Sequence, residues 1–211
     1  MILDRIISGC GGTAVEGDTS IEIAAVCNDS RKVVPGSLFV AVKGFASDGH
    51  SYISTAIGKG ASAIMFEDRD AAIKQIGMCA DRKVTLVQAS SARYALAIAA
   101  ANFYDNPSHK LTLVGITGTN GKTTTVTLLY RMFTALGYSC GLLSTIANYV
   151  GNKGQEAVNT TSDPLTINSL LAEMVDAGCE YCFMEVSSIG VEQERIAGLK
   201  FKVGIFSNLT H

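Results

Sequence analysis

Residues 111–124 have the sequence LTLVGITGTNGKTT, and this stretch decides the fold of the second half of the chain. The apolar run 111–116 predicts a buried β-strand, and the residues from Lys122 onward predict a helix. Glycines between a strand and a helix let backbone N–H groups turn toward phosphate oxygens, at a helix end with partial positive charge. The stretch therefore predicts a phosphate-binding loop, in which Lys122 would reach the β- and γ-phosphates of a nucleotide and Thr123 would ligate Mg²⁺.

The loop departs from the usual phosphate-loop pattern at one position. The pattern G-x4-G-K-[ST] places a glycine at position 116, where this chain has Ile116, and Gly115 lies one residue earlier. A glycine-rich turn without a ligand is the alternative interpretation. The sequence Gly121-Lys122-Thr123 between a strand and a helix favours the phosphate loop.

Further along the chain, Glu185 lies at the end of the predicted strand 181–186. Ligands of an open α/β sheet bind beyond the carboxyl ends of its strands, and a carboxylate placed there can hold a metal ion. Two interpretations of Glu185 stay open on the residues alone: a magnesium ligand and a surface acid at a strand end.

Short apolar runs alternate with helical patterns on both sides of a polar linker at residues 105–109. Before the linker we predict strands at 21–26, 38–42, 63–66 and 84–87, and helices at 51–59, 69–76 and 92–103. After the loop we predict a strand at 141–145, a hairpin at 148–156, a helix at 164–175, and strands at 181–186 and 201–206. The sequence thus predicts an α/β domain over residues 1–106, followed over residues 107–211 by the first part of a parallel-sheet ATPase domain of the phosphate-loop type.

Composition and charge exclude several classes of protein. Hydrophobic residues make up 47% and charged residues 17% of the 211-residue chain, which argues against a chain that is disordered along its whole length. Seventeen Lys and Arg against nineteen Asp and Glu give a net charge of −2, so neither nucleic acid nor a membrane surface is an expected partner. Without a recognisable secretion signal or an apolar run of about 20 residues, the expected location is the cytoplasm, with reduced cysteines. Cys179 and Cys182 have the spacing of zinc ligands, but no second pair accompanies them, which favours two buried cysteines.

Several motifs along the whole chain carry a family resemblance. They are DSRKVVPGSLFVA (29–41), DGH (48–50), TGTNGKTT (117–124), NTTSDP (159–164), MEVSS (184–188), QER (193–195) and FSNLT (206–210). Together they resemble the Mur ligase family, and within it the UDP-N-acetylmuramoyl-tripeptide synthetases. The phosphate loop is typical of the wider superfamily, which also holds folylpolyglutamate synthetase, whereas the segments 29–41 and 159–164 are similar to the tripeptide synthetases in particular.

The resemblance implies an ATP-dependent amide-bond ligase of peptidoglycan synthesis. Such an enzyme joins meso-diaminopimelate or L-lysine to the D-glutamyl carboxylate of UDP-N-acetylmuramoyl-L-alanyl-D-glutamate. ATP first phosphorylates the carboxylate, and the amine then displaces phosphate from the acyl phosphate. Mg²⁺ is the implied metal ion, and a monomer is expected.

The resemblance also assigns candidate roles to individual residues. Lys122 and Glu185 match catalytic positions, and Thr123 and Glu185 match the positions that bind magnesium. The ATP loop corresponds to Gly118, Thr119, Asn120, Gly121, Lys122, Thr123 and Thr124. The positions that hold the uridine and sugar end, in a UDP-substrate domain over residues 1–106, are Asn28, Ser30, Phe45, Ala46 and Ser47. The positions that hold the muramoyl dipeptide are Asn159, Thr160, Thr161, Ser187, Gln193 and Arg195.

Three departures from the family limit this transfer. Ile189 stands where many members have a histidine, so a polar role of that side chain is absent here. Phe45 stands where some members have a histidine, and stacking on uracil and core packing are both open for it. The family's C-terminal domain, which binds the incoming amino acid, has no counterpart in these residues, so we expect a fragment that is inactive by itself.

Two other function classes stay open. One is a non-catalytic module that binds a nucleotide or a UDP-sugar. The other is a different phosphate-loop enzyme, such as a folylpolyglutamate-synthetase-like ligase or a small-molecule kinase; the segment 29–41 argues against the kinase. These residues do not select between diaminopimelate and lysine.

Overall fold

Two mixed sheets organise the computed structural model, which describes residues 1–44, 47–79, 83–157 and 159–210. Each sheet belongs to one of two units of the chain, Met1–Phe103 and Tyr104–His211. The boundary that the sequence predicts after residue 106 lies three residues beyond this division. Asp105 and Asn106, which follow the division, both have positive φ angles, of 58° and 49°.

The first unit is a five-stranded sheet with short helices. Its helices are α1 (Leu3–Ile7), α2 (Ile53–Gly58), α3 (Arg69–Ile76) and α4 (Ala92–Phe103). Its strands are β1 (Gly12–Glu16), β2 (Ala25–Cys27), β3 (Ser37–Ala41), β4 (Ala63–Phe66) and β5 (Thr85–Ala89), in the order β1-β5-β4-β3-β2. Among the strands that the structure describes in this unit, only β1 runs antiparallel to its neighbour, and the core contains Phe39, Phe66, Ile53 and Ile57.

Two sequence-based predictions for this unit are wrong. A strand at 21–26 is replaced by the shorter β2, because residues 21–23 form an isolated antiparallel bridge with residues 1–3 instead. The N–H of Ile23 donates to the Met1 carbonyl and the N–H of Leu3 to the Ile21 carbonyl, whereas the N–H of Ala24 donates to the Gly36 carbonyl, so the bridge does not extend into a ladder. The helix expected from residue 51 begins at Ile53, after a 3₁₀ turn at Gly49–Tyr52.

The second unit is a six-stranded sheet that contains the phosphate loop. Its helices are α5 (Lys122–Ala135), α6 (Pro164–Asp176) and α7 (Ser188–Glu192). Its strands are β6 (Thr112–Thr117), β7 (Cys140–Leu143), β8 (Ala147–Val150), β9 (Lys153–Glu156), β10 (Tyr181–Glu185) and β11 (Phe201–Phe206), in the order β11-β6-β10-β7-β8-β9. The first four strands in this order run parallel to one another, and β8 and β9 form the predicted hairpin.

Alternating side chains of β10 pack against helices on both faces of this sheet. Phe183 packs in the cluster that holds Val126 of α5, whereas Cys182 and Met184 pack in the cluster that holds Leu171 of α6. The predicted α/β class with parallel strands is confirmed. Across the residues that the structure describes, every helix falls short of the length and apolar character that a membrane crossing needs.

Candidate functional site around the phosphate loop

The predicted loop joins β6 to α5 through two glycines in the left-handed region. Gly118 has a φ of 136°, and Gly121 has a φ of 83° immediately before the first residue of α5. A Cβ on Gly118 would lie 2.8 Å from the carbonyl oxygen of Asn208, so the loop also needs glycine for space. The positive φ angles and the lack of space for a Cβ at Gly118 both require glycine in the backbone turn that brings N–H groups to the amino end of α5.

Lys122 is held against the loop by the loop's own carbonyl groups. Its Nζ donates to the carbonyl oxygen of Gly118 at 2.6 Å and to that of Thr119 at 3.1 Å. The ammonium group therefore lies over the glycine turn. A phosphate group bound there would be a charged acceptor for this ammonium group and would bind it more strongly than the neutral carbonyls do.

Glu185 ends β10 beside the first turn of α5. The Thr123 hydroxyl donates to Glu185 Oε2 at 3.0 Å, and the Thr145 N–H donates to Oε1 at 2.9 Å. Only 1% of Glu185 is exposed, so the alternative of a surface acid is wrong. A buried carboxylate is retained where hydrogen bonds or a cation offset the cost of removing it from water.

The donor atoms at this point suit a magnesium ion. Thr123 and Glu185 supply a hydroxyl and a carboxylate oxygen, the hard ligands that Mg²⁺ prefers. In the described ranges, no group of three or more His, Cys, Asp and Glu side chains could form a metal cage. Mg²⁺ normally takes one or two protein oxygens and completes its shell with phosphate and water, so this sparse donor set fits it.

The NTTSDP segment and the residues after β10 meet next to Glu185. Thr161 is buried; its hydroxyl donates to the backbone oxygen of Glu185 at 3.1 Å and accepts from the N–H of Ser187 at 2.9 Å. Arg195 donates to the backbone oxygen of Thr161 at 2.6 Å and through Nη2 to Gln193 Oε1 at 2.6 Å. The structure thus brings these predicted residues together.

Thr160 and Asn159 lie in the same segment. The hydroxyl oxygen of Thr160 is 3.1 Å from that of Thr145, and Asn159 is exposed. Thr145 was not singled out from the sequence, because a lone threonine at the end of a predicted strand belongs to no recognisable motif.

In the first unit, three predicted residues line one cavity of about 480 Å³: Asn28, Ser30 and Ser47. Phe45 and Ala46 lie outside the described residues. The cavity is also lined by Asp29, Arg31, Val42, Gly44, Gly49 and Tyr52. Tyr52 lies just beyond the DGH motif and belongs to no motif itself, so sequence reasoning missed its aromatic ring.

An ion pair lies at the wall of this cavity. Arg31 donates through Nε to Asp29 Oδ1 at 2.9 Å and through Nη2 to Oδ2 at 2.7 Å. These side-chain bonds and the Arg31 backbone N–H hold the pKa of Asp29 at about 2. The carboxylate therefore stays ionised beside the cavity at all physiological pH values.

Two family models match the chain: "Mur ligase middle domain" over residues 116–211 and "Mur ligase family, catalytic domain" over residues 22–104. UDP-N-acetylmuramoyl-L-alanyl-D-glutamate–2,6-diaminopimelate ligases are similar in sequence. That of Cytophaga hutchinsonii is 54% identical over 198 residues, which are 94% of this chain and 40% of the relative. That of Bacteroides fragilis is 47% identical over 210 residues, which are 100% of this chain and 42% of the relative. The chain spans about two fifths of the length of these relatives.

Solved structures have the same fold. A UDP-N-acetylmuramoyl-L-alanyl-D-glutamate–2,6-diaminopimelate ligase superimposes with a TM-score of 0.80 at 20% identity, covering 100% of this chain and 41% of the other. The MurF ligase from Thermotoga maritima in complex with ADP superimposes with a TM-score of 0.56 at 28% identity, covering 87% of this chain and 37% of the other.

Proposed function

Because the chain belongs to the Mur ligase family, we propose that it carries the UDP-substrate site and the phosphate loop of an ATP-dependent amide-bond ligase. The ligase joins 2,6-diaminopimelate to the D-glutamyl carboxylate of UDP-N-acetylmuramoyl-L-alanyl-D-glutamate. The names of the similar ligases support this choice of amino acid over L-lysine.

One observation carries the proposal: the buried Glu185 carboxylate lies within 3.0 Å of the Thr123 hydroxyl at the start of α5. A glycine loop alone binds phosphate, whereas a buried acid at the end of the neighbouring strand adds a place for the cation of a nucleotide–metal complex. The two groups come from residues that are 62 apart in sequence.

In the first half of the reaction, the loop residues Gly118 to Thr124 hold the phosphates of ATP. Lys122 exchanges its bonds to the Gly118 and Thr119 carbonyls for the transferring phosphoryl group and stabilises its negative charge. Thr123 and Glu185 would hold Mg²⁺, which would supply further positive charge at the phosphates. The γ-phosphoryl group passes to an oxygen of the substrate carboxylate, which gives an acyl phosphate and ADP.

In the second half, the amine of the diamino acid attacks the acyl carbon. The new C–N bond forms, the C–O bond to phosphate breaks, and the proton lost by the amine nitrogen passes to the released phosphate. The proposed dipeptide-binding residues hold the acyl group near the loop for this step; they are Asn159, Thr160, Thr161, Ser187, Gln193 and Arg195. The Arg195 guanidinium is already positioned by Thr161 and Gln193, so its orientation is set before a substrate binds.

The uridine and sugar end of the substrate occupies the cavity of the first unit. Asn28, Ser30 and Ser47 line it, and we propose Phe45 and Ala46 for the same site from the sequence. Six free cysteine thiols support a reducing, cytoplasmic location.

The test is a ligation assay on the full-length protein with ATP, Mg²⁺, the UDP-muramoyl dipeptide, and either diaminopimelate or L-lysine. Tripeptide and ADP in equal amounts are expected with diaminopimelate. A Glu185→Gln variant is the matched control, because it keeps the shape of the side chain and removes its charge. Nucleotide binding without tripeptide would contradict the ligase and support a binding module, and tripeptide with lysine alone would overturn the choice of amino acid.

A further inference from the structure

Thr145 contacts both oxygens of the Glu185 carboxylate. It lies between β7 and β8, where its N–H donates to Oε1 at 2.9 Å and its hydroxyl oxygen lies 3.1 Å from Oε2. Thr145 is itself exposed, whereas Glu185 is 1% exposed. An exposed residue thus anchors a buried carboxylate.

The direction of the hydroxyl bonds follows from the number of protons. The Thr145 hydroxyl has one proton and two oxygen neighbours at 3.1 Å, Glu185 Oε2 and Thr160 Oγ1. An ionised carboxylate only accepts, so Thr145 donates to Glu185 and accepts from the hydroxyl of Thr160. The result is a chain of hydrogen bonds from Thr160 through Thr145 to Glu185.

The connection between β7 and β8 does not need this hydroxyl for its own shape. Ser144 closes the turn, since its Oγ donates to the Ala147 carbonyl at 2.7 Å and accepts from the Ala147 N–H at 3.2 Å. The side chain of Asn148 accepts from the N–H of Ser144 at 3.3 Å. The hydroxyl of Thr145 is left for Glu185.

We propose that Thr145 is a positioning residue for the magnesium site. This inference rests on the proposed function, in which Thr123 and Glu185 hold Mg²⁺. A hydroxyl that ligates a cation offers a lone pair and keeps its proton, so Thr123 can ligate Mg²⁺ and still donate to Glu185 Oε2. Thr145 holds the same carboxylate in place, with its N–H on one oxygen and its hydroxyl on the other.

The test titrates ADP into the 211-residue chain in a calorimeter, once in the presence of Mg²⁺ and once in the presence of a chelator. The ratio of the two affinities is the Mg²⁺ enhancement of ADP binding. Thr145→Val removes the hydroxyl and keeps the N–H. We expect it to lower the Mg²⁺ enhancement about tenfold, the smaller end of the usual effect of losing a partner of a metal ligand. ADP affinity in the chelator and the unfolding midpoint stay at their wild-type values.

Two variants separate positioning from structure. Thr145→Ser restores the hydroxyl and should return the enhancement to within about twofold of wild type. Thr166→Val removes a similar hydroxyl–carboxylate bond, from Thr166 to Asp163 at 2.6 Å, and should leave the enhancement unchanged. Thr145→Ala, judged by the same criteria, replaces the valine variant if valine lowers the unfolding midpoint.

The outcomes distinguish this inference from the proposed function. Wild-type enhancement in Thr145→Val would overturn the role of Thr145 and leave the magnesium site standing. A wild-type chain whose ADP binding is indifferent to Mg²⁺ would overturn both.

Discussion

The side-chain oxygen of Asn208 accepts a hydrogen bond from the backbone N–H of Asn120 at 3.0 Å, across 88 residues of sequence. The Asn208 amide also donates to the Asn120 carbonyl at 3.2 Å, and the Ser207 hydroxyl donates to the same carbonyl at 2.7 Å. The backbone of Asn208 accepts from the N–H of Thr119 at 2.9 Å. The segment after β11 therefore fixes the tip of the phosphate loop through hydrogen bonds to its backbone.

Replacing Asn208 by Ala should loosen that tip without unfolding the unit. Two exposed hydrogen bonds are lost, and each contributes about 1 kcal/mol, so the Asn120 amide should exchange its hydrogen about fivefold faster or more. Amide exchange followed by NMR measures this. Leu209→Ala is the control, because Leu209 is 78% exposed in the same segment, and equal exchange rates in the two variants would refute the role of Asn208.

Gly118→Ala should be far more destabilising than Gly137→Ala. Both glycines have positive φ angles, 136° and 95°, so alanine costs about 1–2 kcal/mol of backbone strain at either position. A Cβ at Gly137 meets open space, whereas one at Gly118 meets the backbone of Asn208, which raises the total to about 3–5 kcal/mol. Urea unfolding gives both free energies, and similar losses in the two variants would contradict the steric argument.

Local patterns in the sequence were sufficient for the elements that surround the loop. The strand–glycine–helix pattern predicts β6, the turn and α5, because each depends on residues close in sequence. The match to a Mur ligase model over residues 22–104 also overturns the kinase alternative. β1 was missed, since Gly12–Glu16 gains its strand conformation by pairing with β5, about 70 residues later.

The candidate site could be predicted only where residues lie in motifs. Lys122, Thr123 and Glu185 are visible for that reason, although the burial of Glu185 is a product of the sheet order β6-β10-β7. Thr145 could not be found, because its contacts with Glu185 and Thr160 bridge 40 and 15 residues and leave no local pattern. The roles assigned to these residues remain predictions.

The carboxyl group of Asp29 should titrate near pH 2, and Arg31→Ala should return the midpoint toward the ordinary value of an aspartate. Since the folded-state pKa is lowered, the stabilisation is complete above the unfolded pKa of 3.8 and is lost as the pH falls through about 2. The Asp29 carboxyl-carbon shift measures the midpoint. Lys32→Ala is the control, because the charge of Lys32 lowers the pKa of Asp29 less than Arg31 does, and an unchanged midpoint in Arg31→Ala would refute the ion pair.

Lys122→Ala should remove turnover in the full-length protein and leave UDP binding unchanged. The Lys122 ammonium contacts the loop carbonyls in the second unit, and loss of such a charge typically lowers turnover by about 10²–10³. Steady-state assays and UDP titrations measure the two quantities. Lys153→Ala, in the exposed strand β9, controls for loss of a positive charge. Activity of Lys122→Ala within about twofold of wild type would contradict the catalytic role of Lys122.

Residues 1–103 should fold alone and bind UDP, because they contain a complete sheet, β1-β5-β4-β3-β2, with its own core. The cavity that Asn28, Ser30 and Ser47 line belongs wholly to this unit, so UDP should shift the amide NMR signals of these residues. Asn28→Ala should weaken UDP binding about fivefold, the usual consequence of losing one hydrogen bond. Ser51→Ala is the control, because Ser51 is exposed in the 3₁₀ turn beside the cavity. Shifts that avoid the cavity, or equal affinities in the two variants, would place the uridine site elsewhere.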